Sequence, residues 1–241
     1  MSNQVISSAD EKLQQEFNRW ATEGKGAEME NHHLDITQKT LRLMDLAPGQ
    51  RVLDLGCGSG WATRLLARKV EGDNPAGQAL GVDVSNEMVR QARDASSEFG
   101  NATYAWGSAE QIPADDNSFD RVLSVESFYY YDDQKKALDE ILRVMAPGGR
   151  LFILINLYKD NPYSLQWVPK LKVPVHVRSA AEYLVLLRES GFQDVSWCHI
   201  PDDTPTPENY KTTSFHSLDD LKAFKQIGAL LLMGAKRLPV L

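Results

Sequence analysis

The sequence predicts an α/β protein with a mostly parallel sheet of about seven strands and helices interleaved between them. Three observations carry that expectation. Apolar runs of β type alternate with segments of helical period along most of the chain, the pattern that βαβ units leave in a sequence. The first of those runs ends in a glycine-rich turn, "RVLDLGCGSGW" (Arg51 to Trp61). Finally, 241 residues at 42% hydrophobic content can bury one large core, and no repeat or low-complexity tract interrupts them.

A helical segment over roughly 9–46 precedes the sheet. Arg51–Leu55 reads as the first strand, entered from the turn "APGQ", and Trp61–Val70 as the helix after it. A second strand is expected at Ala79–Val84, with Ser85 as the N-cap of a helix reaching Phe99. The third and fourth strands fall at Ala102–Trp106 and Arg121–Val125. Leu138, Ile141, Leu142 and Met145 stand at i, i+3, i+4 and i+7 of a helix that "PGG" at 147–149 should stop. The run 150–157 is a buried fifth strand, and 158–178 breaks the rhythm with three prolines. Ser179 and Glu182 then form a capping box for a helix closed by Gly191. "DVSWCHI" and "GALLLMGAKR" complete the sheet. In such sheets ligands bind at the carboxyl ends of the strands, beside the first one.

Composition narrows the function. A net charge of −7 with no Lys/Arg cluster beyond pairs such as Lys135–Lys136 argues against a nucleic-acid partner. Cys57 and Cys198 have no partner spacing, which excludes a disulfide scaffold and a cysteine-rich zinc site and fits a reducing compartment. No other cluster stands at metal-ligand spacing, so no metal is expected. The apolar run at 227–235 is too short to span a bilayer, and the first residues lack a signal-type apolar core. The expected setting is cytoplasmic.

The glycine turn lets backbone approach a ligand with no Cβ in the way. It is not the dinucleotide fingerprint G-x-G-x-x-G: counted from Gly56 the last glycine is replaced by Trp61, and counted from Gly58 by Thr63. It is not a P-loop either, so a nucleoside ligand without a pyrophosphate fits best. "VLDLGCGSGWATRLLA" resembles the first motif of class I S-adenosylmethionine (SAM)-dependent methyltransferases. The resemblance continues through "GVDVSNEMVRQAR", "GSAEQIPADDNSFDRVLS" and "EILRVMAPGGRLFI", in order and register over roughly 36–157. Within that superfamily it is most similar to the small-molecule branch that includes the ubiquinone and menaquinone C-methyltransferases. A Rossmann-like three-layer sandwich with an antiparallel final strand and a helical N-terminal cap is what the resemblance implies.

The resemblance also implies roles. Asp54 would help position the methionine amino group, with Gly56, Cys57, Gly58 and Gly60 around the donor and Asp83 accepting from the ribose hydroxyls. Val84 and Met88 would flank the adenine, with Ser108, Ala109, Glu110 and Val125 completing the donor site. Ser108 replaces the aspartate usual in the family and is the weaker acceptor. On the acceptor side, Glu126 and Tyr130 follow the fourth strand, and His32 or His33 in "NHH" is a credible base. The aromatic residues there and at Tyr158, Tyr163 and Trp167 suggest an apolar or planar acceptor. The chain would divide into an N-terminal lid (1–47), a SAM-binding core (48–157), a substrate-lid insertion (158–178) and the rest of the sheet (179–241). Three functions remain open: transfer to a small organic acceptor, transfer to protein or RNA, and a non-catalytic SAM-binding protein.

Overall fold

In the computed structural model, which describes residues 7–73, 76–206, 208–209 and 214–239, two helices lead into the sheet. These are α1 (Ser8–Thr22) and α2 (Lys25–Leu43), separated by Gly24. The outermost positions of the expected first and last segments, 1–6 and 240–241, lie outside the described residues. There follow β1 (Arg51–Leu55), α3 (Trp61–Val70), β2 (Gln78–Asp83), α4 (Asn86–Asp94), β3 (Ala102–Trp106) and β4 (Phe119–Val125). Next come α5 (Gln134–Val144), β5 (Met145–Ile155), the single turn α6 (Pro162–Leu165) and α7 (Ala180–Glu189). The chain closes with β6 (Gln193–Ile200), α8 (Leu218–Ile227) and β7 (Ala229–Ala235).

The seven strands form one sheet in the order β3-β2-β1-β4-β5-β7-β6. The pairs from β3 to β5 are parallel, and β7 runs antiparallel to both β5 and β6. The Rossmann-like sandwich is therefore as expected. Between β1 and β4 the chain order reverses direction across the sheet, the switch point where open α/β sheets leave a crevice. Alternation along each central strand feeds two separate cores. Leu53, Val122 and Ile153 pack against α5 and α7, while Val52, Leu123 and Phe152 pack against α2 and α3.

Two expectations are corrected and one element is added. The helix from Ser85 ends at Asp94, not Phe99: Ala95 caps it, and the chain turns before β3. The "PGG" sequence does not end α5 but lies inside β5, which starts at Met145. Its early residues pair irregularly with β4, with a register shift between Phe119 and Arg121 that absorbs the glycines. Helix α8 was not anticipated, although Ser217 accepts the Asp220 N–H as its N-cap and Asp219 and Asp220 suit its positive end.

The N-terminal helices lie over the carboxyl ends of the strands. Gln14 of α1 donates to the Val84 carbonyl, and Asn18 Oδ1 accepts from the Ser85 hydroxyl and the Glu87 N–H. Helix α2 is tied to the chain beyond β6 by Lys39, which bonds Asp203 and the Pro201 carbonyl. Over the other side, the backbone N–H of His176 donates to the Tyr129 carbonyl at 2.7 Å. The irregular segment is thereby fastened to the loop after β4.

Candidate active site

A cavity of about 540 Å³ opens where β1, β2 and β4 end, roofed by α1, α2 and the segment after β5. Its floor is the glycine turn. Gly56 has φ +78°, and a Cβ on it would sit 2.4 Å from the Ser127 side chain, so only glycine fits. Gly58 has φ +51° and nothing within 4 Å of where its Cβ would be, which leaves bare backbone facing open space. Asp83 braces this turn. Its Oδ2 accepts the Gly58 N–H and its Oδ1 the Ser85 N–H, both at 2.8 Å. Burial raises its pKa to about 6 against those two hydrogen bonds. Leu55, Val82, Val84, Met88 and Ala109 supply an apolar lining around it.

Of the donor residues expected from sequence, Gly56, Cys57, Gly58, Asp83, Val84, Met88, Ala109 and Val125 line the cavity. Asp54, Gly60, Ser108 and Glu110 stand behind that lining. Asp54 Oδ2 accepts the Thr63 hydroxyl at 2.6 Å, and burial raises this carboxyl to about 7. A Cβ on Gly60 would meet Tyr104 and Ala92. Ser108 Oγ accepts the Glu110 N–H, and the Glu110 carboxylate accepts the Asp133 N–H. These four shape the turns from outside the cavity. Burial keeps the Cys57 thiol protonated, which removes it as a nucleophile.

At the other end of the cavity, residues far apart in sequence converge. His33 Nε2 on α2 lies 3.9 Å from Glu126 Oε2, just past the end of β4. Glu126 has φ +54°, a conformation that costs a non-glycine residue free energy and marks a constrained position. Its Oε1 accepts the Asn156 N–H at 2.5 Å and its Oε2 the Tyr129 hydroxyl at 3.0 Å. Burial pushes Glu126 up to about 7 and His33 down to about 4. His32 also lines the cavity but is exposed, and of the two histidines only His33 comes within 3.9 Å of the carboxylate. Tyr130 lines the cavity edge-on to Phe17 at 5.1 Å, its hydroxyl held protonated by burial.

Phe17 and Trp20 of α1, absent from the candidates above, line the cavity together with Trp167. Their signal was present: Leu13, Phe17 and Trp20 lie at i, i+4 and i+7, one stripe of a helix. Among the described residues no group of His, Cys, Asp and Glu is arranged to hold a metal ion. No helix among them is long and apolar enough to cross a membrane.

Residues 53–153 match the family model described as "Methyltransferase domain". An O-methyltransferase of Aspergillus nomiae is 30% identical over 182 residues, covering 73% of this chain and 78% of the relative. The ubiquinone/menaquinone biosynthesis C-methyltransferase of Legionella pneumophila is 39% identical over 126 residues, 51% of this chain and 49% of the relative. Of two further fungal O-methyltransferases the chain spans 64% and 60% of the length. Among solved structures, a Haloferax volcanii putative methyltransferase in complex with the Trm112 methyltransferase activator is 32% identical. It superimposes with a TM-score of 0.83 over 92% of this chain and 98% of that one. The fold and these matches define an α/β protein of the methyltransferase type. The chain belongs to the class I SAM-dependent methyltransferases.

The residues present fit the family's donor. Gly58 offers backbone that a Cβ would block, and Asp83 presents an acceptor to hydroxyls beside apolar Val84 and Met88.

Proposed function

We propose that the protein transfers a methyl group from SAM to a small organic acceptor, apolar or aromatic over much of its surface. The observation that carries this reading is a single cavity lined both by the Gly56–Gly58 turn with Asp83 and by the His33–Glu126 pair. When bound, SAM supplies an electrophilic methyl on a sulfonium. Everything else falls to the chain. Gly56, Cys57 and Gly58 give backbone contacts, Asp83 takes the ribose hydroxyls, and Val84, Met88 and Ala109 enclose the base. Asp54, Gly60, Ser108 and Glu110 hold those groups in place. Phe17, Trp20, Tyr130 and Trp167 align the acceptor and exclude water, the main requirement of an in-line displacement. Glu126 takes the acceptor's proton, with Tyr129 orienting the carboxylate and His33 accepting a hydrogen bond beside it. His32 has no such role.

In this reading α1–α2 and residues 158–178 are the two lids over a core at 48–157. A cytoplasmic setting is part of it and is supported by the two free cysteines, Cys57 and Cys198. The test is calorimetric binding of S-adenosylhomocysteine, followed by its release from SAM across phenols, quinols, amines, thiols and carboxylic acids. Absence of binding would end the proposal, and binding without turnover on any acceptor would favour a macromolecular substrate or a non-catalytic SAM-binding role.

One comparison favours a second element. The Haloferax volcanii structure is a complex with an activator. We therefore propose that this chain also pairs with an activator subunit. Co-purification with such a subunit, and a gain in solubility or donor affinity, would support it; independent migration of the two would not.

A further inference from the structure

The two polar groups at the acceptor end face each other in an unusual way. His33 Nε2 and Glu126 Oε2 stand 3.9 Å apart, too far for a direct hydrogen bond. One heteroatom placed between them can lie within about 3 Å of both. The protons on each side are fixed by neighbours. The backbone at Met29, one turn earlier, favours a proton on the His33 ring; with that proton on Nδ1, the nitrogen facing Glu126 is unprotonated. Nε2 is left with a lone pair. Glu126, ionised, can only accept, and its oxygens already take one hydrogen bond each from Asn156 and Tyr129. Both sides of the gap accept and neither donates.

A second observation concerns charge. Among the described residues no lysine or arginine forms an ion pair with Glu126, although Lys25 and Lys170 line the same cavity; the neutral His33 is the basic group paired with it. A carboxylate this buried with no cation is costly, and at φ +54° the backbone is strained to keep it there. Beside it runs a continuous aromatic wall. Ring centroids are 4.6 Å apart for Tyr129–Tyr130, 5.1 Å for Phe17–Tyr130 and 5.2 Å for Phe17–Trp20. Aromatic faces attract cations, and Lys25 already lies over Trp20 at 4.8 Å, held there by Glu23.

We propose that the acceptor is a primary or secondary amine, bound as its ammonium ion between His33 and Glu126 against the Tyr129–Tyr130 wall. This deepens the methyl-transfer reading and rests on it. Such an ion has at least two N–H groups on one atom, one for each acceptor, and its charge compensates Glu126. A phenol or alcohol has a single O–H and leaves one side unmet. In the reaction one N–H bond breaks, and the proton goes to the Glu126 carboxylate. The lone pair left on nitrogen forms the new N–C bond. The C–S bond of the donor breaks with its electron pair staying on sulfur, so the positive charge passes from sulfur to the methylated nitrogen. Burial suits Glu126 to this, since it holds a proton up to about pH 7, while His33 stays neutral and does not compete for it.

The test uses 4-hydroxyphenethylamine, which offers an amine and a phenol on one ring, together with simple arylalkylamines and the matching alcohols. Methyl on nitrogen is expected, with amines binding the S-adenosylhomocysteine complex at least tenfold more tightly than their alcohols. Glu126→Gln should lower kcat/KM for the amine at least tenfold and leave the S-adenosylhomocysteine Kd within twofold. His33→Ala should weaken amine binding in the same way and covers the case in which the first variant fails to fold. Methyl on oxygen, alcohols binding as tightly as amines, or no amine binding at all would overturn the proposal. So would an equal loss of S-adenosylhomocysteine affinity in Glu126→Gln, because the carboxylate would then serve the donor's own ammonium. A wild-type protein that does not bind S-adenosylhomocysteine would instead remove the methyl-transfer reading beneath it.

Discussion

Asp83 accepts the backbone N–H of Gly58 at 2.8 Å, tying the turn after β1 to the end of β2. One carboxylate therefore both shapes the glycine turn and faces the cavity it helps to form. Asp83→Ala is expected to weaken S-adenosylhomocysteine binding tenfold or more, about 1.4 kcal/mol per factor of ten. Calorimetry giving an unchanged Kd would remove Asp83 from the ribose site.

The same residue should make donor binding depend on pH. Burial raises Asp83 to about 6, and the ionised form is the one that accepts two hydroxyls. As pH falls through that value the proton occupies the acceptor. Affinity for S-adenosylhomocysteine should be flat above neutral pH and drop about tenfold between pH 7.5 and 5. Asp83→Asn should bind more weakly throughout and lose the slope.

Two glycines separate folding from binding. Gly56→Ala brings a Cβ within 2.4 Å of Ser127, so its Tm should fall, by about 2–4 °C per kcal/mol in a domain of this size. Gly58→Ala meets no protein atom, and its cost is confined to a positive φ, about 1 kcal/mol. It should stay folded and still lose donor affinity, because its methyl points into the open space. Circular dichroism melts beside calorimetry would distinguish the two; a Gly58→Ala protein that binds normally would count against close backbone approach.

Asp54 gives a stability prediction of opposite sign to that usual for acids. Burial raises it to about 7, so the folded protein holds this proton over a range where the unfolded chain has released it. Its contribution to stability therefore declines as pH rises from about 4 to 7. His33, pushed down to about 4, works the other way between about 4 and 6.5. Melting temperatures of Asp54→Asn should vary less with pH between 6.5 and 8 than those of the parent, where His33 no longer titrates.

Asn18 holds α1 to the start of α4 through Ser85 and Glu87. Asn18→Ala should speed amide hydrogen exchange over 8–22 while leaving β1–β5 protected. Uniform acceleration everywhere would mean that α1 does not open on its own.

The central fold was legible because short-range signals and tertiary structure agree there. Apolar runs, the Gly56–Gly60 turn and the Ser179–Glu182 box each specify one local conformation, and the structure adopts it. "PGG" misled because a helix stop and a strand with a bulge use the same residues; only pairing with β4 decides between them. The donor end of the cavity could be read from one continuous motif. The acceptor end could not, since His33 and Glu126 are 93 positions apart and meet only when α2 lies across β4. Asp54 and Glu110 carry the expected residue types and Ser108 departs from them, but the three side chains bond Thr63, the Asp133 N–H and the Glu110 N–H respectively and do not line the cavity.

Helix α1 reaches both ends of the cavity. Gln14 and Asn18 grip the chain just after Asp83, while Phe17 and Trp20, on the next faces of the same turns, wall the space beside Tyr130. A stiff helix moves as one piece. In the proposed function, a displacement of α1 that releases a spent donor would also open the Phe17–Trp20 wall, so the two ligands would share a single door.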